Sequence, residues 1–428
     1  MKYQYMHPRE QIVTIMRRVY GYGMTTTSGG NISIRDESGD LWITPGGTDK
    51  GSLSEADVVR VRDDTVLEGS HPPSSEYPFH RAIYKRRPDL RAILHAHPAA
   101  LVAFSLVRKI PDTSIIPQAR AVCGEVGYAP YAIPGSEELG SNMAAAFGGF
   151  DTVLLENHGV ATGGRSLLEA FQRFETLDFC ARTLINAGIL GTAKSLGPEQ
   201  IALSNQNKNQ KMPEFDVTVR GEAELAIRRG MRELVHRAYR QRLMTSTEGT
   251  VSVRLDHSSF LISPFGTDRS YLDESDFVLV KEGKRERGLF PSRAVMLHQE
   301  IYAAHPGIRA ITSAQCPAVT AFTVTGTPLE SAIIPESYVV LRDMPLVPFG
   351  RQFTDEHGLA AEISERTPVV LLENDAILTT GQSLTEAYDR LEVAEFSANA
   401  ILNAAKLGSA KRIGAHELEA IRKKFGLF

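Results

Sequence analysis

Two histidines two residues apart, His95 and His97 in ILHAHP, are the first residues whose spacing points to chemistry. On a strand, side chains at i and i+2 share a face, so both imidazoles can converge on one ion. A His-x-His pair alone is more often a matter of ordinary core or surface histidines. Two further residues strengthen it. Glu76, in PPSSEYPFH, stands at an expected helix start, and His158, in LLENHG, at a strand end beside a glycine-containing turn. Three histidines with an optional carboxylate are the donor set of an open, catalytic zinc-type site. For Glu76 the plainer alternative is a helix-start carboxylate favoured by the macrodipole.

The chain also repeats itself. SGGNISIR at 28–35 returns as TEGTVSVR at 247–254, and ITPGGTD at 43–49 as ISPFGTD at 262–268. HRAIYKRRPDLRAI at 80–93 returns as HQEIYAAHPGIRAI at 298–311, and LLENHGVATGGRSLLEAF at 154–171 as LLENDAILTTGQSLTEAY at 371–388. The offset drifts only from 219 to 217. A period this long means duplicated domains, not a solenoid of small repeats. The polar stretch 205–211, followed by Pro213, reads as the linker, giving expected domains at 1–207 and 215–428.

The second copy acts as an internal control. At the positions of Glu76, His95, His97 and His158 it carries Ala294, Ser313, Gln315 and Asp375, while the surrounding apolar and turn residues persist. Joint loss of one functional unit explains this more economically than independent drift. His80 behaves oppositely, being matched by His298 in the copy without the quartet, and reads as a structural histidine.

The elements that must position these residues are interleaved helices and strands. Ile12, Ile15, Met16 and Val19 mark an amphipathic helix over 9–20, echoed at 222–240 by Leu225, Ile227, Leu234 and Val235. Strands are expected at Asn31–Arg35, Leu41–Thr44, Val58–Arg62, Arg91–His97 and Thr152–Asn157. A helix over Ser75–Arg87 should end before Pro88, and a long one should run from Ser166 to about Ala187. One layered α/β domain per repeat follows.

Composition sets the outer bounds. The 428 residues hold 47 Lys+Arg against 51 Asp+Glu, for a net charge of −4, which argues against a nucleic-acid-binding surface. Three scattered cysteines imply no disulfide framework. No run of 18 apolar residues exists and the start, MKYQYMHPRE, lacks a signal-peptide core. A cytoplasmic protein with no membrane partner is expected.

Five motifs together resemble the class II aldolase/adducin family: Ser28-Gly29-Gly30-Asn31-Ile32-Ser33, Thr44-Pro45-Gly46-Gly47, Ser74-Ser75-Glu76, His95-Ala96-His97 and Asn157-His158-Gly159. They run in family order over the whole first repeat; the second repeat keeps the framework but not the site. The resemblance implies two tandem three-layer αβα domains, each with a mainly antiparallel central sheet. It implies His95, His97 and His158 as ligands of Zn²⁺, or of Mn²⁺ or Co²⁺, acting as a Lewis acid on a keto-sugar phosphate cleaved through an enediolate. Glu76 becomes a resting-state ligand or neighbour that serves as acid/base.

By the same resemblance Asn31, Gly46, Gly47, Ser74 and Ser75 surround a phosphate with backbone N–H and hydroxyl donors. Gly46 stands where the family usually has Ser or Thr, with Thr48 nearby as a substitute, and a plain tight turn accounts equally well for Gly46-Gly47. The family tyrosine that follows an Ile-Pro segment is missing from Ile116–Ala121, whereas Ile334–Tyr338 in the second copy has one. Family rings place sites between subunits, so a homodimer forming a pseudo-tetramer is expected, with Tyr338 or Arg293 as cross-domain contributors. Epimerase, decarboxylase and dehydratase chemistries use the same scaffold. A non-catalytic, adducin-like assembly protein is the alternative from another class.

Overall fold

The computed structural model describes residues 3–206 and 208–427. They form two compact units: the described residues up to Thr113 with Gln118–Ala181, and Ser114–Pro117 with the residues from Arg182 onward. Asn207, where the first expected domain ends, lies outside the described residues. Lys208–Lys211 forms a 3-10 turn, and the buried Asn209 donates Nδ2 to the Pro291 carbonyl at 2.7 Å.

In the first unit, helix α1 (Pro8–Gly21) buries the expected stripe of Ile12, Ile15, Met16 and Val19. Each such side chain contributes about 1.5–3 kcal/mol through burial. The strands are β1 (Asn31–Arg35), β2 (Leu41–Ile43), β3 (Val59–Arg62), β4 (Thr65–Glu68), β5 (Ala92–Ala96), β6 (Val126–Ala129), β7 (Thr152–Leu155) and β8 (Gly159–Gly164). Between them run α2 (Tyr77–Arg86), α3 (Ala99–Leu106), α4 (Pro117–Cys123) and α5 (Glu137–Phe147), and α6 (Leu167–Leu190) follows. The sheet order is β4-β3-β2-β1-β5-β8-β7-β6.

The expectation of a mainly antiparallel sheet overstates the case, because the sheets are mixed. In the first, β6 lies parallel to β7. The cause is local: α5 stands between these two strands, and a helical crossover returns the chain in the same direction. Strand alternation sets the site's face. Ile93, Val153, Leu155 and Ala161 join Phe79, Ile83 and Tyr84 of α2 and Leu139, Met143 and Phe147 of α5 in one core. His95, two residues beyond Ile93, lies on that same face.

The second unit continues with α7 (Pro198–Ser204), β9 (Glu214–Phe215), α8 (Glu222–Arg240), β10 (Thr250–Arg254), β11 (Ser259–Ile262), β12 (Val278–Lys281) and β13 (Lys284–Glu286). Then come α9 (Val295–Ala304), β14 (Ala310–Ala314), α10 (Pro317–Thr325), α11 (Pro335–Leu341), β15 (Leu346–Val347), α12 (Arg351–Thr354) and α13 (Glu356–Ala361). It closes with β16 (Val369–Leu372), β17 (Ile377–Gly381), α14 (Leu384–Leu407) and α15 (Ala415–Phe425). Its sheet runs β15-β16-β17-β14-β10-β11-β12-β13-β9 and is also mixed, with parallel pairs at β13–β9 and β15–β16. Val369 and Leu371 pack with residues of α8, α10 and α14, whereas Val370 and Leu372 pack with those of α9 and α13. Helices therefore cover both faces of this sheet. Among the described residues no helix is long and apolar enough to cross a membrane.

Candidate metal centre

The pairing register brings the site together. Asn31 on β1 stands opposite His95 on β5, and His95 opposite Ala161 on β8. Strand β5 ends at Ala96, so His97 lies one residue beyond it and not within it as expected. Its ring still converges, with Nε2 3.0 Å from Nε2 of His95. The expected strand to Asn157 likewise stops at Leu155. Asn157 turns left-handed at φ 52°, which places His158 in the tight link to β8. Gly159 is required next to it, since a Cβ there would lie 2.6 Å from the Ala96 carbonyl and 2.7 Å from the His97 ring. The ligating atoms of His95, His97 and His158 all fall within 4.8 Å of one another.

The protonation pattern suits a cation. Nδ1 of His95 meets the Val160 carbonyl at 3.0 Å, and a carbonyl only accepts, so the proton sits on Nδ1 and Nε2 faces inward. Burial lowers His97 to about 3, with His95 and His158 adding to the effect, and lowers His158 to about 4. Both rings are neutral at neutral pH and have lone pairs to offer. Oε2 of Glu76 approaches Nε2 of His95 at 3.2 Å, and Oε1 approaches Nε2 of His158 at 3.4 Å. An inward N–H of the His97 or His158 ring, or a cation among these atoms, relieves their mutual repulsion. The donor set fits a divalent ion of the zinc type.

Glu76 caps the start of α2 and is 7% exposed. Burial works to raise its carboxyl, but a protonated His95 or His158 ring beside it and the Asn31 amide outweigh that and hold it below the usual carboxylate range. Asn31 donates Nδ2 to Oε2 at 2.7 Å, whereas Oε1 is buried and accepts no hydrogen bond. Asn31 is thus committed to Glu76, a role its place among the expected phosphate contacts did not reveal. His80, read from sequence as structural, meets Asn31 Oδ1 through Nε2.

The expected anion-binding segments adjoin. An isolated bridge pairs Pro45 with Pro73, Gly46 N donates to the Pro72 carbonyl at 3.0 Å, and Ser74 N to the Thr44 carbonyl at 3.1 Å. Ser74 Oγ accepts from Glu76 N at 3.3 Å, while Ser75 and Gly47 are exposed. The hydroxyl of Thr48 is buried without a partner. Sequence reasoning passed over Lys50, whose buried Nζ donates to the Pro45 and Thr48 carbonyls at 3.1 and 3.2 Å and so fixes the turn.

In the second unit the corresponding space is filled by the chain's own polar groups. Glu248 stands at the position of Gly29 and accepts from the Gln315 backbone N–H at 2.9 Å. Gln315 Nε2 donates to Asp375 at 3.3 Å, and Gln352 to the other Asp375 oxygen at 2.9 Å. Asn374 repeats the left-handed turn of Asn157 at φ 52°. Arg293 lies near Asp375 and donates to the Ser204 carbonyl at 3.3 Å. Tyr338, on α11, accepts through its hydroxyl from Arg422 of α15 at 2.6 Å. Both are thus engaged within their own unit.

The class II aldolase and adducin N-terminal domain matches residues 10–185 and again 229–402. The chain belongs to the class II aldolase and adducin family, with the two matches falling on the two repeats. A 5-deoxy-D-ribulose 1-phosphate aldolase of Bacillus thuringiensis is 34% identical over 200 residues, 45% of this chain and 91% of the relative. An L-fuculose phosphate aldolase of Methanocaldococcus jannaschii is 32% identical over 180 residues, 42% of this chain and 96% of its own. A 3-oxo-tetronate 4-phosphate decarboxylase of Escherichia coli is 29% identical over 184 residues, 42% of this chain and 87% of its own. Each relative spans less than half of this chain.

Proposed function

We propose that the first unit is a divalent-metal-dependent aldehyde-lyase that cleaves a carbon–carbon bond in a small keto-sugar phosphate. The observation that carries this reading is the convergence of His95, His97 and His158 on one point beside a carboxylate with a free oxygen. A divalent ion held by the three histidines, zinc or else manganese or cobalt, would supply Lewis-acid polarisation of a substrate oxygen.

The chain's own residues supply the rest. Glu76 stays ionised and presents Oε1, which accepts no hydrogen bond, as the atom that takes and returns a proton. Asn31 holds Oε2 and thereby aims Oε1. The buried setting of His95 and Glu76 excludes bulk water, which strengthens each polar interaction inside. The turn at 45–48 and the Ser74-Ser75 pair offer backbone N–H and hydroxyl donors to an anionic group, for which the unpartnered Thr48 hydroxyl is a candidate. The duplication is consistent with a homodimer of four domains, which mass determination in solution checks.

A second reading has support in the Escherichia coli relative: decarboxylation of a keto-acid phosphate by the same residue set. One experiment separates the two. Metal-loaded protein is offered ketose phosphates, unphosphorylated ketoses and keto-acid phosphates, with aldehyde trapping and carbon dioxide detection in parallel. About one divalent ion per chain and a trapped aldehyde are expected. Carbon dioxide release favours the second reading, and a chain that takes up no ion refutes both.

A further inference from the structure

Building on this functional reading, we propose that His80 is a positioning residue: it anchors a run of hydrogen bonds that fixes the Asn31 amide and, through it, the Glu76 carboxylate. The direction of the run follows from donor chemistry. Asn31 gives its amide Nδ2 to Glu76 Oε2 at 2.7 Å. Asn31 Oδ1, an acceptor, then faces His80 Nε2, which must carry the proton. A fully buried imidazole is neutral and offers a lone pair at Nδ1, to which Ser33 donates its hydroxyl at 2.7 Å. Tyr84 completes the run, 2.9 Å from the Ser33 hydroxyl and 3.1 Å from its carbonyl. From Ser33 through His80 to Asn31 each donor points toward the carboxylate, while Tyr84 braces Ser33, so the amide cannot flip without breaking bonds at both ends.

The second repeat supplies the contrast. Ser252 meets His298 Nδ1 and the Tyr302 hydroxyl, both at 2.8 Å, which reproduces the far half of the run. The near half is gone. Thr250 stands in place of Asn31 and bonds Ser292 at 2.6 Å, and Ala294 stands in place of Glu76. His298 Nε2 is left buried without a partner. The Ser–His–Tyr half is therefore framework in both repeats, and the Nε2 half has a task only where a carboxylate waits beyond it.

The test exploits this duplication. His80→Leu and His298→Leu remove the same framework bonds, one in each repeat, so a merely structural role affects both alike. Zinc affinity is titrated into metal-free protein, and kcat and KM are measured on the loaded enzyme. His80→Leu is expected to lose about 10–100-fold in zinc affinity or in kcat, with KM little changed. His298→Leu should match wild type in both. His80→Gln, whose amide can serve Ser33 and Asn31 together, should recover most of the loss. Asn31→Thr, the substitution the second repeat already tolerates, should reproduce the defect in a folded protein. Equal behaviour of the two leucine variants, in a wild type that binds zinc, overturns the positioning role alone. A wild type that binds no zinc overturns the functional reading, and the role of His80 with it.

Discussion

A Cβ on Gly29 would lie 2.9 Å from Nδ1 of His97, closer than side-chain atoms normally approach. The absence of a side chain at 29 is what leaves the His97 ring its place, and in the second repeat Glu248 takes that space. Gly29→Ala is therefore expected to displace His97 and weaken zinc binding by about 10-fold or more. Calorimetric titration of the metal-free variant checks this; unchanged affinity would show that the ring can shift without loss.

Separating the ligands from the proton carrier is the second prediction. Glu76→Gln should keep metal content near wild type and lose roughly 10²–10⁴-fold in turnover. His97→Ala should lose metal and turnover together. Metal analysis by mass spectrometry beside steady-state assays distinguishes the two patterns.

Metal and stability should be linked. An ion that binds the folded state alone stabilises by about 2.7 kcal/mol at a hundredfold excess over its Kd. Chelation is thus expected to lower Tm in the wild type and to leave the Tm of His95→Ala where it was. Melting scans with and without chelator decide the matter, and a His95→Ala protein that still responds points to an ion elsewhere.

Stability of the second unit should depend on pH through Glu248. Burial raises its carboxyl from 4.5 to about 7, the Gln315 N–H opposing and Asp375 adding to the rise. Between those values the folded state binds more protons than the unfolded one, so stability falls as pH rises through the window. Glu248→Gln removes that dependence. The variant is expected to gain over wild type at pH 8 and to gain less at pH 5, as read from denaturant midpoints; equal shifts at both would contradict it.

By sequence Tyr338 is a candidate cross-domain contributor to the site, yet its hydroxyl is held by Arg422. Loss of that charge-assisted bond in Tyr338→Phe should cost about 1 kcal/mol or somewhat more. Retained turnover in that variant would end the idea of a cross-domain contribution, while a denaturation curve measures the structural part.

Much of the framework was legible because periodicity and punctuation act locally. Strand β1 and helix α8 fall where their residue patterns place them, and the quartet was visible because the second repeat lacks it. What escaped depends on partners distant in sequence. His97 lies outside β5 because β8 pairs only as far as Ala96, which no pattern within ILHAHP encodes. The parallel pairing of β6 follows from a helical crossover that a strand-by-strand reading does not see. His80 looked structural because His298 matched it, and Nε2 differs between the two only through what stands beyond it. Gly29 carried a usable signal, the exchange of Gly for Glu within otherwise matched motifs.

The left-handed residue that presents His158 survives in the second repeat as Asn374, with Asp375 following it in the chain. Positive φ is uncommon for residues other than glycine, and asparagine is among those that adopt it most readily. The second repeat therefore keeps a mounting whose instrument has been removed. Restoring the matching residues there needs Gly, Asn, Glu, three His and a further Gly at 248, 250, 294, 313, 315, 375 and 376, the last because Ala376 stands where Gly159 makes room for the His97 ring. The metal-site residues of the first repeat are thus seven exchanges away in the second.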